Sequence, residues 1–422
     1  MYKKTKLKNG IRVVKAQNKN IETVTLLALF GTGSREEKGK AEGVAHFLEH
    51  MFFKGTEKRP HCIEINKELD AVGASSNAFT GKEYTGFWIK SGKKDLEMGL
   101  DILSDMLLHS LFSPKEIENE KGPVLEEINM YADTPMRDIS SVFEQLLFDG
   151  HGLGHDQLGA VANVKSFSRK DLVSFYKKHY RADNLVLAVS GNFDEDTIDK
   201  EIKKFFSSFD GAKTKTKQTK FSTWQEKPEI LLKYKKTDQT NFSLGFRAFA
   251  TGHKDEYILD VLNIILGGNS SSRLFEAVRE REGLAYYVYS YSCDYRDTGY
   301  FTVQSGVGND KCEKAIALVL KEIHKLKEQG VSKEELQRAK SYVEGKMAIS
   351  LESSSAVADF VAIQEITTGK ILTPEEKFDK INAVTREDVS RVAQEIFTKD
   401  RMNLALIGPF KSKKKFDKLL KI

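Results

Sequence analysis

At 422 residues the chain can hold two large domains or three ordinary ones, and 40% hydrophobic and 30% charged content with only 7 prolines excludes a disordered or collagen-like polypeptide. With 66 basic and 61 acidic residues the net charge is +5, too little over this length to mark a nucleic-acid binder. A basic, apolar-poor start at Met1–Lys8 and no run of ~18 apolar residues predict a soluble cytoplasmic protein without a membrane partner.

In chain order, the first strong signal is GVAHFLEHMFFKG, where Val44, Phe47, Leu48, Met51 and Phe52 recur at helical spacing and Gly55 supplies a stop. On that helix His46 and His50 stand four apart, so both imidazoles share one face and can hold one zinc ion, with Glu49 beside them as a general base. Cys62, Cys293 and Cys312 form no C-x-x-C pair, which excludes a disulfide framework or a cysteine metal site and suits buried small residues. Ser76–Thr80 reads as a strand near a sheet edge, and Thr85-Gly86-Phe87 opens another strand before an amphipathic helix, Lys94–Leu108. Ser113-Pro114-Lys115-Glu116 is a capping-box start for a long helix on which Glu120 and Glu127 share a face, while Glu126 points about a hundred degrees away. Taken alone, these acids suit a solvated face, and Pro123 between them predicts a kink that weakens the placement of Glu120. His151 and His155 sit among glycines and read as structural loop residues.

Ser168–Gly191 lies over Thr385–Gly408 without a gap, at an offset of 217, with Arg169/Arg386, Asp171/Asp388, Asp183/Asp400, Leu187/Leu404, Ala188/Ala405 and Gly191/Gly408 identical. Thr298-Gly299-Tyr300, the helix Cys312–Leu326 and a helix starting at Ser332 repeat the pattern of the first half. The fold class is therefore α+β, with two homologous domains from an internal duplication, each a mainly antiparallel sheet packed with helices. The lysine- and threonine-rich Gly211–Lys220 suits an exposed linker, giving domains 1–215 and 216–422. Lys411–Ile422, with six lysines, reads as a solvated terminal helix.

HFLEHMFFKGT, then SSNAFTGKEYT, then VLEEINMYADTP together resemble the pitrilysin or insulinase metallopeptidases, the H-x-x-E-H inverzincins, over nearly the whole chain. The likeness is greatest to the short two-domain members, a group that includes the mitochondrial processing peptidase and its bacterial relatives. The resemblance implies a third zinc ligand 75 to 77 residues after His50, at Glu126 or Glu127; register from Glu83, and a supporting acid seven residues earlier at Glu120, select Glu127. It also implies that Arg279 and Tyr286, seven apart, bind the substrate backbone near the scissile bond, and that Asn77, Ala78 and Phe79 take an extended peptide as an added strand. In the second half GGNSSSRLFEAVRE replaces the zinc motif and Lys346 falls at the position of Glu127, so this domain is expected to present substrate.

The expected protein is thus a zinc-dependent endopeptidase with one Zn²⁺ per chain, held by His46, His50 and Glu127, and with Glu49 as base. By resemblance it cleaves unfolded peptides or presequence-like segments inside the chamber of a clam-like homodimer whose active sites are composite. The alternative is a non-catalytic partner or scaffold subunit; such chains lose part of the zinc motif, and all of it is present here.

Overall fold

The computed structural model describes residues 2–211, 220–221 and 225–420. It divides into two compact units, the first built from residues 1–129, 155–219 and 349–371, the second from 130–154, 220–348 and 372–422. The expected linker falls largely outside the described residues. Each half of the chain lends a helical segment to the unit that the other half builds, 130–154 in one case and 349–371 in the other.

The first unit holds β1 (Tyr2–Lys6), β2 (Arg12–Gln17), β3 (Thr23–Phe30), β4 (Ser75–Thr80), β5 (Thr85–Gly92) and β6 (Leu185–Gly191), in the order β1-β2-β6-β3-β5-β4. Only β2 and β6 run parallel; every other pair is antiparallel. The second unit repeats the plan one strand short: β7 (Glu229–Tyr234), β8 (Gln239–Ala248), β9 (Ala285–Tyr295), β10 (Thr298–Gly308) and β11 (Met402–Gly408) pair as β7-β11-β8-β10-β9, again with a single parallel pair, β7 with β11.

The continuous apolar runs of β3 and β11 follow from burial on both faces. Leu26, Ala28 and Phe30 point into the main core, whereas Leu27 and Leu29 meet Ala358, Val361 and Ala362 of the helix Ser354–Thr368. In β11, Leu404 and Leu406 join the second main core, and Ala405 and Ile407 meet Ile139, Val142 and Phe143. Small residues let these covering helices lie close. A Cβ at Gly245 of β8, for example, would stand 2.6 Å from the Phe143 ring.

Five helices of the first half matter below: α1 (Val44–Met51), α2 (Cys62–Ala71), α3 (Leu96–His109), α4 (Pro114–Ala132) and α5 (Pro135–Leu147). α4 continues as one helix through Pro123, where a kink is expected. The one backbone bond that proline removes would have reached the carbonyl of Asn119, which lies on the solvent side and can be hydrated instead. The C-terminal segment is docked rather than solvated: Phe416 and Leu420 are buried in the second core while Lys411, Lys413 and Lys414 stay exposed. All three cysteines are free; Cys312 is buried as expected, but Cys62 and Cys293 are half-buried. Among the described residues no helix is long and apolar enough to cross a membrane.

Candidate metal centre

The local sequence explains why α1 aims its histidines where it does. Val44, Phe47, Leu48 and Met51 fill the core along one stripe, with Phe47 edge-on to Phe167, and this leaves the face of His46, Glu49 and His50 turned away from it. The helix starts on Gly43 at φ +95°, where a Cβ would come within 2.8 Å of the Gly159 Cα and the Leu158 carbonyl, so only glycine fits. Its first N–H groups find a side-chain acceptor six to eight residues upstream: Glu37 takes hydrogen bonds from the N–H of Gly43 and of Ala45, both at 2.7 Å. Burial pushes the Glu37 carboxyl up to about 8, against the pull of those two donors and of Lys82.

α4 crosses this face and presents two acids. Glu127 Oε2 lies 3.4 Å from His46 Nε2 and 3.5 Å from His50 Nε2, and the two Nε2 atoms are 3.3 Å apart. A tetrahedral ion with ligand bonds of ~2.0–2.1 Å has ligand-to-ligand edges of ~3.3–3.4 Å, so this triangle has the size of one face of a zinc coordination tetrahedron. The set of one carboxylate and two imidazoles suits zinc, and among the described residues it is the one such grouping of three. Glu126, the alternative third ligand, is exposed and outside it.

Glu120, two turns before Glu127, is buried; it accepts the Nδ1–H of His50 at 2.9 Å and pairs through its other oxygen with Lys54 at 2.5 Å. That bond fixes the His50 tautomer with Nε2 toward the triangle. Burial works to lower the His50 pKa, but the hydrogen bond and charge of Glu120, with Glu49 and Glu127 nearby, outweigh it and raise it. The Glu127 carboxyl is held down, first by its bond to His46, against burial and with help from the charges of both histidines. Glu49, on the same helix face, accepts a 2.5 Å hydrogen bond from Thr80 Oγ1 at the end of β4.

β4 is the sheet edge, as expected for Asn77, Ala78 and Phe79. The Phe79 ring lies over Gly86, where a Cβ would meet it at 2.3 Å, and the Asn77 side chain accepts the N–H of Ala78 at 2.9 Å. In the second unit Arg279, on a π-helical turn Phe275–Arg281, stacks over Tyr286 at 5.8 Å, and Tyr286 is 80% exposed. His151 and His155 lie outside the metal grouping; the first accepts the N–H of Leu153 and the second stands 3.5 Å from Glu42.

Three participants escaped the sequence reading. Glu37, Lys54 and Thr80 contact the site or its helix through pairings that follow no local period, although Lys54 and Thr80 sit inside motifs already singled out.

With this geometry in place, comparison with known proteins decides the family. Residues 12–155 match the insulinase (peptidase family M16) model, and residues 166–343 match the peptidase M16 inactive domain. The uncharacterized zinc protease YmxG of Bacillus subtilis is 37% identical over 97% of this chain and 98% of its own length. The chain belongs to peptidase family M16. An uncharacterized zinc protease of Streptomyces coelicolor is 32% identical over 97% of this M16 chain and 90% of its own length. Among solved structures, a protease from Helicobacter pylori superposes with a TM-score of 0.91 at 24% identity, covering 97% of this chain and 99% of its own. A Pseudomonas fluorescens structure described as a peptidase M16 inactive domain gives 0.90 at 20% identity, with 98% of each chain covered. These two likenesses bear on the fold, and they match the two-domain α+β architecture.

Proposed function

We propose that this M16 chain is a zinc-dependent endopeptidase acting on unfolded peptides or presequence-like segments. The observation that carries the reading is the triangle of His46 Nε2, His50 Nε2 and Glu127 Oε2 with Glu49 beside it. A zinc ion held there supplies a Lewis acid for the scissile carbonyl and lowers the pKa of a water toward ~7.

The protein's own residues do the rest. Glu49 takes the proton of the attacking water and delivers it to the leaving amine. Thr80 holds the Glu49 carboxylate at the end of the edge strand, so the base sits where a peptide added alongside β4 would pass. Main-chain pairing along Asn77–Phe79 gives broad sequence tolerance, and Phe79 stiffens that edge by packing on Gly86. Glu120 keeps His50 in register. Arg279 and Tyr286, stacked and exposed, offer a cation and a phenol to the developing oxyanion; in this reading they serve the zinc site of a second copy in a chambered homodimer.

The test uses zinc-loaded protein and a diverse library of quenched peptides. Cleavage that stops on chelation, returns with zinc and is lost in Glu49→Gln supports the reading; no cleavage of any peptide by the unmodified protein favours a scaffold subunit. Mixing Glu49→Gln chains with Arg279→Ala chains then probes composite sites, since each mixed dimer regains one intact centre.

A further inference from the structure

We propose that Lys54 is a positioning residue of the metal centre: its ammonium occupies one oxygen of Glu120, which fixes the other on His50 Nδ1 and so holds the His50 ring with Nε2 toward His46 and Glu127. The inference rests on the zinc reading above and assigns a role to a residue that the motif itself leaves silent.

Glu120 and Glu127 stand two turns apart on one face of α4, and both address His50, the first through Nδ1 and the second through Nε2. Glu120 orients the His50 ring only while its own carboxylate cannot turn, and both of its oxygens are engaged: Oε1 receives His50 at 2.9 Å and Oε2 receives Lys54 at 2.5 Å.

Lys54 is built in rather than draped over the surface. Its N–H bonds to the Met51 carbonyl at 3.2 Å, in the turn that ends α1. Gly55 follows at φ +125°, where a Cβ would strike the Pro60 carbonyl at 2.3 Å, so the chain must turn there. Beyond it Arg59 is clamped by Glu68 of α2 at 2.7 Å and by Asp101 and Asp105 of α3 at 2.7 and 2.8 Å. The backbone of Lys54 is therefore pinned on both sides, and its side chain, about a quarter exposed, reaches Glu120 from a fixed origin.

The experiment compares wild type, Lys54→Gln, Lys54→Arg, Glu120→Gln and the double variant Lys54→Gln/Glu120→Gln in the full chain. Apparent zinc affinity is measured by competition with a chromophoric chelator, the Tm of the metal-free protein by circular dichroism, and the ligand field by the visible spectrum of the cobalt-substituted form. The expected result is a zinc affinity ~10–100-fold weaker in Lys54→Gln with a changed cobalt spectrum, near-wild-type values in Lys54→Arg, and a double variant no weaker than Glu120→Gln. If Lys54→Gln lowers the metal-free Tm but leaves zinc affinity and the cobalt spectrum untouched, Lys54 is a structural ion pair and the proposal falls. Should Lys54→Gln fail to fold, Lys54→Arg decides alone, since a folded arginine variant with weakened affinity and a wild-type spectrum contradicts the role. A wild type that binds no zinc overturns the metal reading itself, an outcome distinct from wild-type binding that Lys54→Gln shares in full.

Discussion

Replacing Glu37 tests whether the metal helix depends on the carboxyl that accepts its first N–H groups. Glu37→Ala strips the N–H groups of Gly43 and Ala45 of their 2.7 Å partner in a buried position. Each orphaned donor costs ~1–3 kcal/mol, and relief of the buried carboxyl returns part of that, so a net loss of ~2–4 kcal/mol is expected. Glu37→Gln keeps one acceptor oxygen but turns an amide N–H toward the second donor, at a cost of ~1–2 kcal/mol. The pH dependence has a definite sign. With the folded carboxyl raised to about 8 from 4.5, the neutral acid is the form the fold favours. Its stabilisation is complete below pH 4.5 and is lost as pH rises toward 8, by up to ~1.4 kcal/mol per pH unit. Urea unfolding of the metal-free proteins between pH 5 and 8.5 should therefore show the advantage of wild type over Glu37→Gln shrinking as pH rises and then reversing, because a loss of up to ~1.4 kcal/mol per pH unit exceeds a gap of ~1–2 kcal/mol within about two units. Because His46 follows Ala45 directly, Glu37→Ala should also weaken zinc binding. A loss below ~0.5 kcal/mol in Glu37→Ala, or a gap to Glu37→Gln that is flat with pH, would refute the reasoning.

Three further outcomes follow from the site. Glu49→Gln should bind zinc as tightly as wild type yet lose ~10²–10⁴-fold in peptide cleavage, measured on metal-loaded protein, because the residue moves a proton without holding the ion. Gly43→Ala should destabilise by ~2–4 kcal/mol in thermal unfolding, since it forces a side chain into φ +95° and against the backbone at Gly159. Zinc affinity, titrated from pH 5.5 to 8, should fall as pH drops, by up to tenfold per pH unit for each proton displaced. The decline should begin above the ordinary imidazole range, because the His50 pKa is raised, chiefly by Glu120 working against burial.

How far the sequence reaches depends on whether the physics is local. The duplicated segment was legible because Ser168 with Asp171, and Thr385 with Asp388, form capping boxes that three-residue spacing reveals, each starting a helix that leads into a buried strand. The His46 and His50 pair was legible for the same reason, since four residues are one helical turn. Glu127 was reached through family resemblance, and its place in the triangle depends on how α4 crosses α1, a tertiary fact. Glu37, Lys54 and Thr80 act across 6 to 66 residues of chain with no period to betray them. The exchanged segments were hidden for a related reason. An amphipathic pattern such as Ile139, Val142, Phe143 and Leu147 announces a buried face but not the sheet that buries it. At Pro123 the local rule marked a lost backbone hydrogen bond but not its outcome: α4 continues as one helix, and the Asn119 residue whose carbonyl loses that partner faces solvent.

The most direct test of the central claim is anomalous diffraction at the zinc edge from crystals of the zinc-loaded protein. The account predicts one peak per chain, ~2.0–2.2 Å from His46 Nε2, His50 Nε2 and a Glu127 carboxylate oxygen. A peak coordinated by other side chains, or none at these three atoms in saturating zinc, would contradict it.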